Sequence, residues 1–332
     1  MTRFGKIEVM NNHSFSKALN GFKISPYLQE QSTFISQMEV YGQSSKTIEK
    51  LLRVEIGSSQ LHRITDCYGA EIESEIKSDF QVDELSKEDV VYAQMDGGMI
   101  FTDDGWQEVK VGRVFKGSEV IKQSENTERQ MINSSQYVAH LGSHIDFLKV
   151  LHKAVKGYKK YRKRLVFIND GAVWIDNWIK ENFPSAISIL DYYHVAEKIS
   201  GVGKLLLKDS EKHLNWLSEI KGLLLESKVD EVRGRILKLK ANTIEEVDVK
   251  MKLLRYLNKN EKRIDYKLYR RKGLAIGSGA IEASHRTVVQ SRMKKSGQRW
   301  SNQGAQNMLN LRVAFKSERW DILIDKIKNV AA

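Results

Sequence analysis

The stretch Val90-Val91-Tyr92-Ala93-Gln94-Met95-Asp96-Gly97-Gly98 decides how this chain folds. Six largely apolar residues read as a buried strand, and the acid and two glycines after them read as its end. The pattern recurs downstream, where Leu165-Val166-Phe167-Ile168 leads through Asn169 into Asp170-Gly171. Between the two, Trp106–Phe115 reads as a second strand after the Asp103-Asp104-Gly105 turn, and Gln136–Leu141 as a third. An amphipathic helix is expected over 144–158. Beyond Asp170 a helix over 174–182 stops at Phe183-Pro184, and Ala186–Leu190 forms a fifth strand ending at Asp191. Three strands in a row, then strand–helix alternation, predict an α/β chain with a mixed five-stranded sheet and helices on its faces. Ligands of open α/β sheets gather at the carboxyl ends of strands, where Asp96, Asp170 and Asp191 all fall.

Outward from this core the pattern turns helical. Residues 195–272 are highly charged, with Trp216, Ile220 and Leu223–Leu224 on one helical face and Val232, Ile236 and Leu239 on another. They predict an all-helical insertion. Gly273–Gly279 then opens a helix expected over 280–295, and a last helical region starts near residue 303. Upstream, helices are expected over 27–41 and 45–54, with a third running from a capping Ser58 to Tyr68. The short second helix, the Gly57 turn and the third helix resemble a helix-turn-helix that would turn Ser59, Gln60, His62 and Arg63 to a groove. An ordinary helical bundle gives the same pattern, and the 5 basic and 11 acidic side chains of 27–84 do not favour DNA. The expected division is 1–26 unassigned, 27–85 helical, 86–195 the first part of the core, 196–273 the insertion and 274–332 the closing helices.

Charge points to the partner. Lys and Arg number 54 against 42 Asp and Glu among 332 residues, a net charge of +12. Residues 1–85 hold 9 basic and 12 acidic side chains, so the whole surplus lies in 86–332. Such a surplus suits a polyanion, nucleic acid first. One cysteine, Cys67, excludes an internal disulfide and a Cys-rich zinc site, and fits a reducing cytoplasm. The sequence holds neither a secretory signal pattern nor an apolar run of about 18 residues, so no membrane span is expected.

A third acid follows glycines in Gly277-Ser278-Gly279-Ala280-Ile281-Glu282. Each acid alone has a plain explanation. Asp-Gly is a common turn dipeptide, and a carboxylate in a helix's first turn suits the dipole and an i+4 partner, here Arg286. Delivered together by separate elements of a basic chain, the three suggest hard oxygen ligands for divalent metal ions acting on phosphates.

Longer strings carry a family resemblance. Trp106-Gln-Glu-Val-Lys-Val-Gly-Arg-Val-Phe115, Ile168-Asn-Asp-Gly-Ala-Val-Trp-Ile175 and Leu190-Asp-Tyr-Tyr-His194 resemble bacterial insertion-sequence transposases of the DDE class. So do Ile276-Gly-Ser-Gly-Ala-Ile-Glu-Ala-Ser-His-Arg286, the most specific run, and the stretch that continues through Lys294–Trp300 and Gly304–Arg312. The likeness spans about residues 28–320 and belongs to the Mutator-like supergroup. It implies an RNase H-like fold in which the first strand, the fourth strand and a late helix converge. It implies Asp96, Asp170 and Glu282 as the catalytic, metal-binding triad, with Asp191 and His194 beside the site. It further implies two Mg²⁺ ions, replaceable by Mn²⁺, with Asp96 bridging both, and double-stranded DNA, transposon ends and target, as substrate. Pairing two ends implies a homodimer or larger assembly on the nucleoid. The chain departs from the pattern in lacking the Cys-rich N-terminal segment that such proteins often carry. A nuclease that only cleaves, or a silent DNA-binding remnant of an element, are the competing readings.

Two basic runs would meet phosphates. The first is Lys149, Lys153, Lys156, Lys159, Lys160, Arg162, Lys163 and Arg164, uninterrupted by acids. The second is Arg286, Arg292, Lys294, Lys295 and Arg299, with Trp300 beside it either stacking on a base or filling core. His194 is read as a hydrogen-bond partner of Asp191 or, less simply, a metal ligand.

Overall fold

The computed structural model describes residues 22, 24–78, 80, 85, 89–122, 130–158 and 164–331. In chain order, four helices come first: α1 (Pro26–Ser36), α2 (Tyr41–Leu52), α3 (Ser58–Glu71) and α4 (Glu73–Ser78). Five strands follow: β1 (Val91–Thr102), β2 (Gly105–Lys116), β3 (Val120–Lys122), β4 (Gln130–Ile132) and β5 (Gln136–Leu141). Next are α5 (His144–Gly157), β6 (Leu165–Asn169), α6 (Val173–Asn182) and β7 (Ile187–Leu190). The helices α7 (Tyr192–Leu207), α8 (Ser210–Leu225), α9 (Val229–Leu237), α10 (Ile244–Lys259) and α11 (Tyr266–Arg271) form the insertion. The chain closes with α12 (Gly279–Ser284), a π-helical segment (His285–Gln290), α13 (Ser291–Met293), α14 (Asn302–Lys316) and α15 (Asp321–Ala331).

A mixed five-stranded sheet runs in the order β5-β2-β1-β6-β7, and β3 and β4 form a separate hairpin that the sequence reading did not anticipate. The strands β1, β6 and β7 are parallel, whereas β2 and β5 pair antiparallel. One expectation is corrected here. Asp96 does not end β1: the strand runs on to Thr102, with burial unbroken from Val91 to Met95 and lost at Asp96. The apolar run marks only the part of β1 registered against β6, which ends at Gln94.

The chain divides into two compact units, the first comprising Met1–Ser86, Asp96–Lys159 and Ala280–Ala332, the second Lys87–Met95 and Lys160–Gly279. This partition cuts across the expected domain limits, because the N-terminal helices share a core with the first strands and the closing helices. In the first unit Ile64 and Tyr68 of α3, and Ile72 at its C-cap, pack with Met308, Leu309 and Leu311 of α14, and with Val109, Val111, Tyr137 and Ala139 of the sheet. Helix α5 covers the other face, where Phe147 and Leu151, with Val138 of β5, close over Gly112. The edge strand β5 is guarded: the Tyr137 and Leu141 amides donate to Ser317 Oγ and Gln306 Oε1, satisfying N–H groups that would otherwise recruit another strand.

Among α1–α3, Ile35, Ile48, Ile56 and Leu61 form a small core. Gly42, in the expected gap between the first two helices, lies inside α2, and Gly57 rather than Ser58 is the N-cap of α3. In the second unit the insertion is helical, beginning at Tyr192, and α8 buries His213, Leu217, Ile220 and Leu224. Trp216 is only half-buried, so the inner stripe of α8 is turned slightly from the expected one. Among the described residues no helix is long and apolar enough to cross a membrane.

Candidate active site

Sheet register relates the strand segments that precede the acids. Gln94 of β1 pairs with Ile168 of β6, and Ile168 with Ile189 of β7. Asp96, Asp170 and Asp191 each follow those paired residues by two positions along three neighbouring parallel strands. A sequence spacing of 74 between the first two acids is therefore also the register offset of their strands.

In the first unit, Asp96 is exposed, and its Oδ1 accepts from the Gly97 amide at 2.8 Å. Glu282 lies in the first turn of α12, where the N-terminal dipole favours a carboxylate. Its ion pair with Arg286 spans 3.8 Å, with both side chains more than 70% exposed. Such a pair contributes about 0.3–0.5 kcal/mol, too little to reserve Glu282 for structure. The imidazole of His285, three residues on, reaches the Asp96 carbonyl at 3.0 Å.

In the second unit, Asp170 is half-buried and its Oδ1 accepts from the Ala172 amide at 3.0 Å. Its carbonyl accepts from the Tyr256 hydroxyl at 2.8 Å. Burial first, then the Asp170 charge, push the Tyr256 phenol upward, so it stays protonated and keeps donating. The neighbouring Asn169 accepts from the buried Arg263 at 2.6 Å. Neither Tyr256 nor Arg263 was singled out from sequence, and nothing local marks them: both come from the insertion.

Asp191 differs from the other two strand-end acids. It is 4% exposed, and Oδ1 accepts from the Tyr193 and His194 amides at 2.7 and 3.1 Å, capping α7. Its Oδ2 accepts from the Ser278 amide at 2.9 Å and from the Ser278 hydroxyl. Four donors occupy this carboxylate, which makes it a latch. His194 does meet Asp191, but through its backbone amide rather than its ring.

The basic residues sort by burial. Lys149, Lys153 and Lys156 are exposed along one stripe of α5, Lys149 also pairing with Asp146 at 2.7 Å. Arg164 is exposed too, while Lys159, Lys160, Arg162 and Lys163 lie outside the described residues. Arg286, Lys294, Lys295 and Arg299 are exposed, with Arg299 turned to Asp103 at 2.7 Å. One expectation, Arg292, is corrected, and the open reading of Trp300 is decided. Arg292 is 1% exposed, donates to the Ser36 carbonyl at 2.8 Å and lies over the Tyr41 and Trp300 rings. Trp300 is 7% exposed and donates to the Met293 carbonyl, so it fills core instead of offering a face to a base. On α3, His62 and Arg63 are exposed and Gln60 half-buried.

The donor set of exposed and half-buried carboxylates has the hard-oxygen chemistry that Mg²⁺ or Mn²⁺ takes. Among the described residues, no three or more His, Cys, Asp or Glu side chains are drawn together as a formed metal centre. A cavity of about 600 Å³ lies at the β7 edge, lined by Asp176, Lys180, Lys259, Lys262, Arg263 and Lys272 among others, and none of the three triad acids lines it.

The fold is that of a mixed α/β protein with an acid within two residues past a registered segment on each of three parallel strands. The chain belongs to an uncharacterised protein family, UPF0236, whose family model matches residues 24–321. No curated protein matches it.

Proposed function

We propose that this protein is a DDE-type DNA transposase, cutting element ends and joining them to target DNA with Mg²⁺ or Mn²⁺. The observation that carries the reading is the register of β1 and β6, central and adjacent in the sheet, with an acid two residues past the paired segment on each. An RNase H-like plan requires the first and fourth strands of the sheet to be neighbours, and this order supports it. Asp96, Asp170 and Glu282 are the ligands in this reading; Asp191 holds the backbone at Ser278, four residues before Glu282 in sequence. Bound metal ions would stabilise charge on the attacking and leaving oxygens. The chain's own part is to present three carboxylates and to hold DNA phosphates against Lys149, Lys153, Lys156, Lys294 and Lys295. A water or a 3′-hydroxyl attacks phosphorus, the P–O3′ bond breaks, and the departing 3′-oxygen takes a proton. The exposed face of α3, with Ser59, His62 and Arg63, supports a helix-turn-helix role in reading element ends.

The test is incubation of the purified protein with labelled candidate element ends in Mg²⁺ or Mn²⁺, followed by a plasmid-target assay for joining. Cleavage and joining by the wild type, both lost in Asp96→Asn and Glu282→Gln with DNA binding retained, are expected. A mutant that still nicks the ends would refute the assignment. Cleavage without joining would favour a nuclease.

A further inference from the structure

We propose that His285 is a positioning residue, tying the strand that bears Asp96 to the helix that bears Glu282. The inference rests on the metal-dependent reading of those acids. A carbonyl can only accept, so His285 Nε2 carries the proton and donates to the Asp96 oxygen, 3.0 Å away. The residue is 5% exposed, and it stands three positions after Glu282, one helical turn along. One side chain thus bridges the backbone of one acid and the helical turn of the other.

The strand is shaped to admit the ring. A Cβ on Gly98 would lie 2.9 Å from His285 Nδ1, closer than real Cβ contacts come, and a tight 3.0 Å from Cε1. Alternation along β1 puts Asp96 and Gly98 on the same face, whereas Gly97 points to the other, towards Glu108. The imidazole therefore occupies the place of a missing side chain on the face that carries the Asp96 carboxylate. Glycine at 98 is the condition for that approach.

The helix is anchored on both sides of Glu282. Upstream, the buried Arg113 donates to the Ala280 carbonyl at 3.2 Å. Downstream, His285 begins a π-helical segment, a wide turn that is rare and recurs at functional sites. Widening leaves carbonyls off the regular ladder, and Arg312 takes them: Nε donates to Val288 O at 3.1 Å and an Nη donates to Thr287 O. The wide turn, with its guanidinium brace, thus begins at the residue whose ring reaches Asp96.

Mn²⁺ binding to the whole protein, followed by loss of the free-ion electron paramagnetic resonance signal, tests this without relying on turnover. The variants are His285→Leu, which removes the donor; His285→Gln, whose amide nitrogen stands near the Nε2 position; Gly98→Ala; and Asp96→Asn. Second-layer residues typically change metal affinity about 10–100-fold. A loss of that order in His285→Leu and Gly98→Ala, with recovery in His285→Gln, is expected. Thermal melts accompany each variant, and Gly98→Ala, which deletes no polar group, serves if His285→Leu does not fold. Wild-type affinity in His285→Leu or in Gly98→Ala, beside weakened Asp96→Asn, overturns the inference alone. If wild type takes up no Mn²⁺, or Asp96→Asn binds as tightly as wild type, the metal-dependent reading fails and the inference falls with it.

Discussion

Asp191→Asn separates structural from chemical acids. The Asp191 carboxylate, 4% exposed, accepts from the Tyr193 and His194 amides and from both the amide and hydroxyl of Ser278. An asparagine retains one oxygen, so it can cap α7 or hold Ser278, and its NH₂ group then faces donors. Hydrogen bonds to a charged group contribute about 1.5–3 kcal/mol each. Losing one pair, partly replaced by water at the half-buried Ser278, should cost about 2–4 kcal/mol. Asp191→Ala forfeits the cap as well, about 1 kcal/mol more. Asp170→Asn is the control: its Oδ1 accepts from the Ala172 amide, a bond an amide oxygen can keep. Its cost should stay within about 0.5 kcal/mol, as for substitutions outside special structural features. Urea unfolding gives the free energies, and hydrogen exchange over residues 192–207 localises the loss. If Asp191→Asn unfolds with the wild type while abolishing cleavage, the latch is wrong and Asp191 serves the reaction instead.

Three other outcomes follow from packing and charge. Gly69→Ala should destabilise by about 1–3 kcal/mol, because its Cβ would meet the Asn307 backbone, with the carbonyl carbon at 2.7 Å; urea unfolding showing the gain usual for a helix-interior alanine would refute this close α3–α14 crossing. Arg292→Gln should lower stability and leave the salt dependence of DNA binding unchanged, whereas Lys294→Gln and Lys295→Gln should each reduce the salt slope by about 1; binding isotherms across salt concentrations decide, and a changed slope in folded Arg292→Gln would count against its buried placement. Burial, then nearby Lys77, holds the His140 imidazole below its ordinary value of 6.5. The unfolded chain then binds more protons just below that value, so stability is full above about pH 6.5 and declines as pH falls through it. His140→Gln should shrink that decline, and an unchanged profile would remove His140 as its source.

Much of the sheet was legible in the sequence because buried parallel strands are written as short apolar runs, as at 165–168 and 187–190. The third strand falls at Gln136–Leu141, the expected stretch. The far half of β1 was not legible, since its exposed residues carry the glycines and charges that also mark a turn. The residues around the candidate acids divide the same way. Asp170 and Asp191 both follow an apolar strand and precede a helix, and no local pattern tells them apart. Ser278, 87 residues from Asp191, makes the difference by filling the second carboxylate oxygen. Arg292 and Lys294 are two cations of one run, yet one is stacked between aromatic rings and the other is in water. Sequence by itself determined the period, the burial of each strand and the excess of positive charge, because these are local sums over side chains. Tertiary structure alone decided which acids are engaged, which cations reach solvent and why Gly98 lacks a side chain, because each depends on a partner brought close by the fold.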